Sequence, residues 1–158
     1  MNGAERRRRY AALAEAASDS RGARFARRLS GAEGPSFADL AKVPDWLTEP
    51  PERQERIACL AALLRHRRAI DAELSGPRLA MLAATVGEDL LDAACETPLT
   101  PPLDDAPLPA PDRLVAEGRR LLHAGLPEPF AGRFPGAQDD AQARDIAMHA
   151  STIVAALA

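Results

Sequence analysis

The chain has 158 residues, a formal charge of −3 and a 46% hydrophobic fraction swollen by alanine, with aromatics at only 4%. That length suits one domain, or one domain with flexible ends, and its core has to be built from Leu, Ile and Val, with alanines permitting close helix contacts. No apolar run approaches the ~20 residues that cross a bilayer, and two cysteines, Cys59 and Cys95, make no disulfide framework.

Residues 1–30 carry eight Arg against Glu5, Glu15 and Asp19, a balance of +5, while the remainder carries twelve Lys/Arg against twenty acids, a balance of −8. A basic arm on an acidic body fits nucleic acid, a membrane surface or an acidic protein face; a solvated arm with no partner fits equally. Its arginines, Arg6, Arg7, Arg8, Arg9, Arg24, Arg27 and Arg28, are the candidate partner-binding cations. No apolar stretch follows the first of them, since Glu15, Asp19 and Arg21 interrupt it, so a signal peptide is not expected. The arm reads as partly helical or flexible: Tyr10, Leu13 and Ala17 recur at i, i+3, i+7. "SGAEGPS", residues 30–36, is a loop, and a single helical domain is expected from 36 to 158.

Ser36 caps a short predicted helix that uses Phe37 and Leu40 and stops at Pro44. The clearest helical signal covers 51–70. Thr48 or Glu49 is its expected cap, and Pro50–Pro51 suit a first turn that needs no amide donor. Glu52 and Glu55 stand near its positive end and Arg65, Arg67 and Arg68 near its negative end. Ile57, Leu60, Leu63, Leu64 and Ile70 form the apolar stripe, and Trp46 and Leu47 are placed to fold onto the first turn.

Ser75–Gly76–Pro77 opens a further helix with Leu79, Leu82 and Val86 inside; Gly87 caps it, and Glu88 and Asp89 begin another with Leu90, Leu91 and Ala94 inside. Residues 97–110 then form a proline-rich strap bearing the acidic pair Asp104 and Asp105. The helices after the strap hold too few large apolar residues for a core of their own, so they are expected to pack back onto those before it. The strap is then an extended connection inside one domain, either a plain connector or a partner-binding segment. Leu114, Val115, Leu121 and Leu122 mark a helix over 112–124, ended by Gly125. "LPEPFAGRFPGA" is irregular, with Phe130 and Phe134 available for docking. The last helix, about 139–156, shows Ile146, His149 or Ala150, Ile153 and Leu157, and the Asp139–Asp140 pair fits its N-terminus. No β-branched stretch alternates with period two. The expected fold is all-α: a single irregular bundle of about five to seven helices.

Reactive groups do not converge. His66, His123 and His149 fall on separate helices, and His66, inside "RHRR", is expected on a solvated face. Cys59 and His66 share a helix face seven residues apart, but roughly 10 Å of axial separation is too long for ligating one ion. There is no H-E-x-x-H, C-x-x-C, G-x-S-x-G or phosphate-binding loop. Neither acidic pair has an apolar setting that raises a carboxyl pKa. No catalytic, cofactor-binding or metal site is expected, and both cysteines are expected to be buried free thiols in a reducing compartment. A helix-turn-helix within 51–94 would have only Arg78 as a basic residue on its second helix, a poor recognition element.

The stretch "FADLAKVPDWLTEPPERQERIACLAALLRHRRAI" is a proline-led approach to a leucine-rich helix. "LAMLAATVGEDLLDAAC" follows it as a helix pair, then "APLPAPDRLVAEGRRLLHAGL" as a Pro-Leu-Pro entry into a helix with a mid-helix glycine, Gly118. In that order of features, over roughly residues 37–157, the chain resembles the SctK family (the YscK/OrgA type), accessory proteins of the type III secretion sorting platform. The arginine-rich arm has no counterpart there. The resemblance implies a bacterial, cytoplasmic, non-enzymatic adaptor that bridges the cytoplasmic domain of an inner-membrane ring and the pod proteins below it. The alternative expectation is a small nucleic-acid-associated or regulatory protein that uses the arginine arm. A third is a helical enzyme subunit or accessory protein without an active site of its own.

Overall fold

In the computed structural model the chain divides between Val43 and Pro44 into two units, and the described residues are 42–73, 75–98, 107–126 and 140–157. The arm and its arginines, the loop at 30–36, the Ser36-capped helix, Asp104, Asp105, Phe130 and Phe134 lie outside the described residues. The unit Pro44–Ala158 is an all-α, irregular bundle. A 3-10 helix at Asp45–Thr48 is followed by α1 (Pro51–Arg65), α2 (Arg67–Asp71), α3 (Gly76–Val86), α4 (Glu88–Glu96), α5 (Pro111–Ala124) and α6 (Ala141–Ala156). No strand occurs among the described residues.

α1 is the centre of the bundle. Seven consecutive residues, Ile57 to Leu63, are buried, a pattern wider than the amphipathic stripe its sequence predicts. A helix buried all round has neighbours on every side, and α4, α5, α6 and the 3-10 helix all pack on it. Fully burying Ile57, Leu60 or Leu63 stabilises the fold by about 1.5–3 kcal/mol each, while Ala58, Ala61 and Ala62 between them let neighbouring backbones approach. Leu64 is only half-buried.

The start of α1 differs from expectation. Pro51 occupies the first helical position, but the cap is Pro50 and no side chain bonds to the exposed donors. Thr48 is committed elsewhere, its hydroxyl donating to Asp45 O at 2.8 Å within the 3-10 turn. The joint is held by Gln54, whose Nε2 donates to Leu47 O at 3.2 Å and Glu49 O at 2.8 Å. Trp46 is buried, and its 3-10 turn packs on α1. The end differs too: the predicted single helix over 51–70 breaks at His66 into α1 and α2.

The α3–α4 joint follows the sequence closely. Gly87 has φ +99°, a conformation that favours glycine, and a Cβ there would fall 2.7 Å from Asp89 Oδ1. Leu82, Val86, Leu90 and Ala94 are buried on either side.

α5 and α6, which follow the proline-rich stretch, pack onto α1, which precedes it. Thr97, Pro98 and residues 107–110 carry no regular structure. The α1–α5 crossing is set by Gly118, buried in mid-helix: a Cβ there would lie 1.8 Å from the carbonyl oxygen of Ala58. At the far end of α5, a Cβ on Gly125 would lie 2.7 Å from the Arg144 Cα. There Asp140 N donates to Ala124 O at 2.8 Å. The Asp140 side chain caps α6, Oδ1 accepting from Gln142 N at 2.9 Å and Ala143 N at 3.1 Å.

α6 buries Ala150, one of the two residues expected at that point of its stripe, but is otherwise rotated relative to it. Ala143, Ala147, Ala150 and Val154 are buried, Ile146 and Ile153 are half-buried, His149 is exposed and Leu157 is 44% exposed. Small side chains win the inner face because α6 lies close to α1 and α5, where larger ones would hold the backbones apart.

Candidate functional site

None of the partner-binding residues expected from sequence, Arg6, Arg7, Arg8, Arg9, Arg24, Arg27, Arg28, Asp104 and Asp105, lies among the described residues. Within the described residues, polar chemistry concentrates where α1 breaks. His66 is 2% exposed, which corrects the expectation of a solvated face, and its Nε2 lies 2.7 Å from Glu117 Oε1 on α5. A carboxylate only accepts, so this is the geometry of an imidazole N–H donating to it. The adjacent Arg67 reaches the other way. One guanidinium nitrogen donates to the carbonyls of Ala94 and Thr97 at the end of α4, the latter at 3.3 Å, while Nε donates to Asp71 Oδ1 at 2.8 Å. Cations suit the negative end of a helix dipole, so Arg67 finishes α4 as a cap supplied from another element.

The signal for His66 was present in the sequence. It lies seven residues after Cys59 and four before Ile70, on the face that carries both of these buried residues. Its arginine neighbours concealed it: Arg65 and Arg67 are half-buried and Arg68 is exposed, so they fan out around a residue that points inward.

Surface features are sparse. Pro50, Glu52, Arg53 and Arg56 at the start of α1 and Val154 and Leu157 at the end of α6 line an open groove of about 330 Å³. Its floor is apolar and its cations already have acidic neighbours: Arg53 pairs with Glu49 at 3.6 Å and Arg56 with Asp89. The hydrogen bond from Arg56 holds the Asp89 carboxyl below the usual carboxylate range. Met81 on α3 and Met148 on α6 are 59% and 61% exposed. α3 has Arg78 as its one charged residue, with Pro77, Ala80, Met81, Ala84 and Thr85 all exposed.

The remaining titratable groups do not assemble. Among the described residues no group of three His, Cys, Asp or Glu side chains is placed to hold a metal ion. Both cysteines are free; Cys59 is buried, but Cys95 is exposed, against expectation, because it follows Ala94 onto the outer side of α4. Burial pushes the Cys59 thiol up, with the Glu55 charge adding to it, and partial burial raises the Cys95 thiol. His123 is pushed down by desolvation and by the Arg119 charge. No helix among the described residues is long and apolar enough to cross a membrane. The chain matches no protein-family model, no curated protein and no solved structure.

Proposed function

We propose that this chain is a non-enzymatic cytoplasmic adaptor that works through surface contacts, in a type III secretion sorting platform or a related assembly. The observation that carries this reading is where apolar surface is left outside the bundle. α3 offers an outer face around Met81 whose one charge, Arg78, is paired with Glu73, and α6 leaves Met148 and Leu157 exposed. Exposed methionines are adaptable contact residues, able to repack against a partner. The inward-facing polar groups, His66 and Arg67, bind other parts of the bundle and so serve its architecture. The order of proline-led and leucine-rich helices, with Gly118 in mid-helix, is the reason for naming the secretion platform. The test is an affinity pull-down of the full chain from its native host. Stoichiometric co-purification of the ring's cytoplasmic domain or of a pod protein supports the reading, and their absence from the eluate counts against it.

The charge asymmetry between residues 1–30 and the rest of the chain favours a second reading, a nucleic-acid-associated or regulatory protein acting through the arginine arm. Its signature is affinity for DNA or RNA that falls steeply with salt and disappears when residues 1–30 are deleted.

A further inference from the structure

Residues 52–72 contain neither proline nor glycine, yet the helix stops at Arg65 and restarts at Arg67. Sharp interruptions of a helix arise at Pro, at Gly or Ser, at a π-bulge, or where a side chain intrudes on the hydrogen-bond ladder. The local sequence here favours continuity, since Arg, Leu and Ala are good helix formers. His66 stands outside the α-helical dihedrals, at φ −93° and ψ 17°.

Two anchors on adjacent residues flank the break. His66 is drawn inward to Glu117 of α5, and Arg67 is drawn to the terminal carbonyls of α4, Ala94 O and Thr97 O, with Asp71 orienting its guanidinium. A helix start leaves its first N–H groups without intrahelical carbonyls; Ile70 N finds one, His66 O, at 3.0 Å.

We infer that the His66 junction is a two-state hinge that couples the end of α4 to α5. With both anchors made, the helix is broken and Arg67 holds the carbonyls of α4. When either anchor is lost, α1 and α2 join into one continuous helix, His66 returns to helical dihedrals, and Arg67 turns away from α4. The broken and continuous states differ by a few side-chain contacts on one side and recovered helical backbone on the other. An event that loosens Glu117 on α5 is thereby felt at Ala94 and Thr97.

Amide hydrogen exchange on the full chain tests this with Glu117→Ala and Arg67→Ala. Glu117→Ala removes the carboxylate that His66 reaches on α5 and is expected to speed exchange at residues 95–97 by about tenfold or more. In both variants exchange at Arg67 and Ala69 is expected to slow, because a continuous helix gives those amides carbonyls four residues back. Unchanged exchange at 95–97 in Glu117→Ala overturns the coupling. Faster exchange at Arg67 and Ala69 in either variant means the junction merely frays, and overturns the hinge. If Glu117→Ala does not fold, the direction of change at those two amides in Arg67→Ala decides the matter.

Discussion

Gly118 of α5 lies directly against the backbone of Ala58 in α1: the absent Cβ of one would stand 1.8 Å from the carbonyl oxygen of the other. The obstacle is main chain, so no side-chain rotation relieves it. Glycine inside an exposed helix costs about 1 kcal/mol relative to alanine, and on that ground alone Gly118→Ala would stabilise α5. Here the added methyl has to push two central helices apart. Overpacking of that kind costs about 1–3 kcal/mol or more, so Gly118→Ala is expected to lower the urea midpoint. A raised midpoint would show that the two helices do not meet at this pair.

Leu60 and Leu64 are one helical turn apart and carry the same side chain, yet the structure treats them differently. Leu60 is fully buried among α1's neighbours, while Leu64 is half-buried. Leu60→Ala is expected to cost ~2–5 kcal/mol. Leu64→Ala, with less surface to lose and water already nearby, is expected to cost about 1 kcal/mol. Urea unfolding of the two variants side by side checks the order, and equal losses would contradict the placement of α1.

Much of this architecture is legible in local chemistry. Pro51 at a first helical position, Gly87 with its positive φ and Gly125 at the end of α5 fall where one-dimensional signals put them, because start and stop preferences are properties of a few adjacent residues. The misplaced features depend on distant partners. The break at His66 needs Glu117, fifty-one residues on, and no periodicity contains that information. The inner face of α6 belongs to Ala143, Ala147, Ala150 and Val154 because α6 packs closely on α1 and α5. An apolar-periodicity reading ranks alanine below isoleucine and turns the helix the wrong way. Of the candidate site, the arginines and Asp104–Asp105 fall outside the described residues, whereas the buried junction at His66 and Arg67 was hidden by its own charged composition.

The two thiols are expected to separate cleanly under labelling. Cys95 is exposed near the end of α4 and Cys59 is buried in the middle of α1. In the folded chain, one equivalent of a thiol reagent reacts and the second waits for unfolding. The thiolate is the reacting form, and Cys95 is held above the ordinary thiol range. Its rate is therefore slow for an exposed cysteine at neutral pH and climbs as pH rises. Two fast equivalents would mean that α1 is not central.

His123, half-buried near the end of α5, predicts a dependence of stability on pH. Desolvation, helped by the Arg119 charge, pushes its pKa below the ordinary value of 6.5. Between that ordinary value and the lower folded one, the unfolded chain binds more protons than the folded chain, so stability rises with pH in this window. The contribution is fully present above the unfolded pKa and is lost as pH falls through the folded one. His123→Gln removes the titration while leaving a polar side chain of similar reach. Urea midpoints at about pH 7.5 and about pH 5.5 are expected to fall further for the natural chain than for His123→Gln. Other groups titrate over the same interval in both proteins, so the difference between the two drops isolates His123. An equal or larger drop in the variant would mean that His123 is not desolvated in the folded chain.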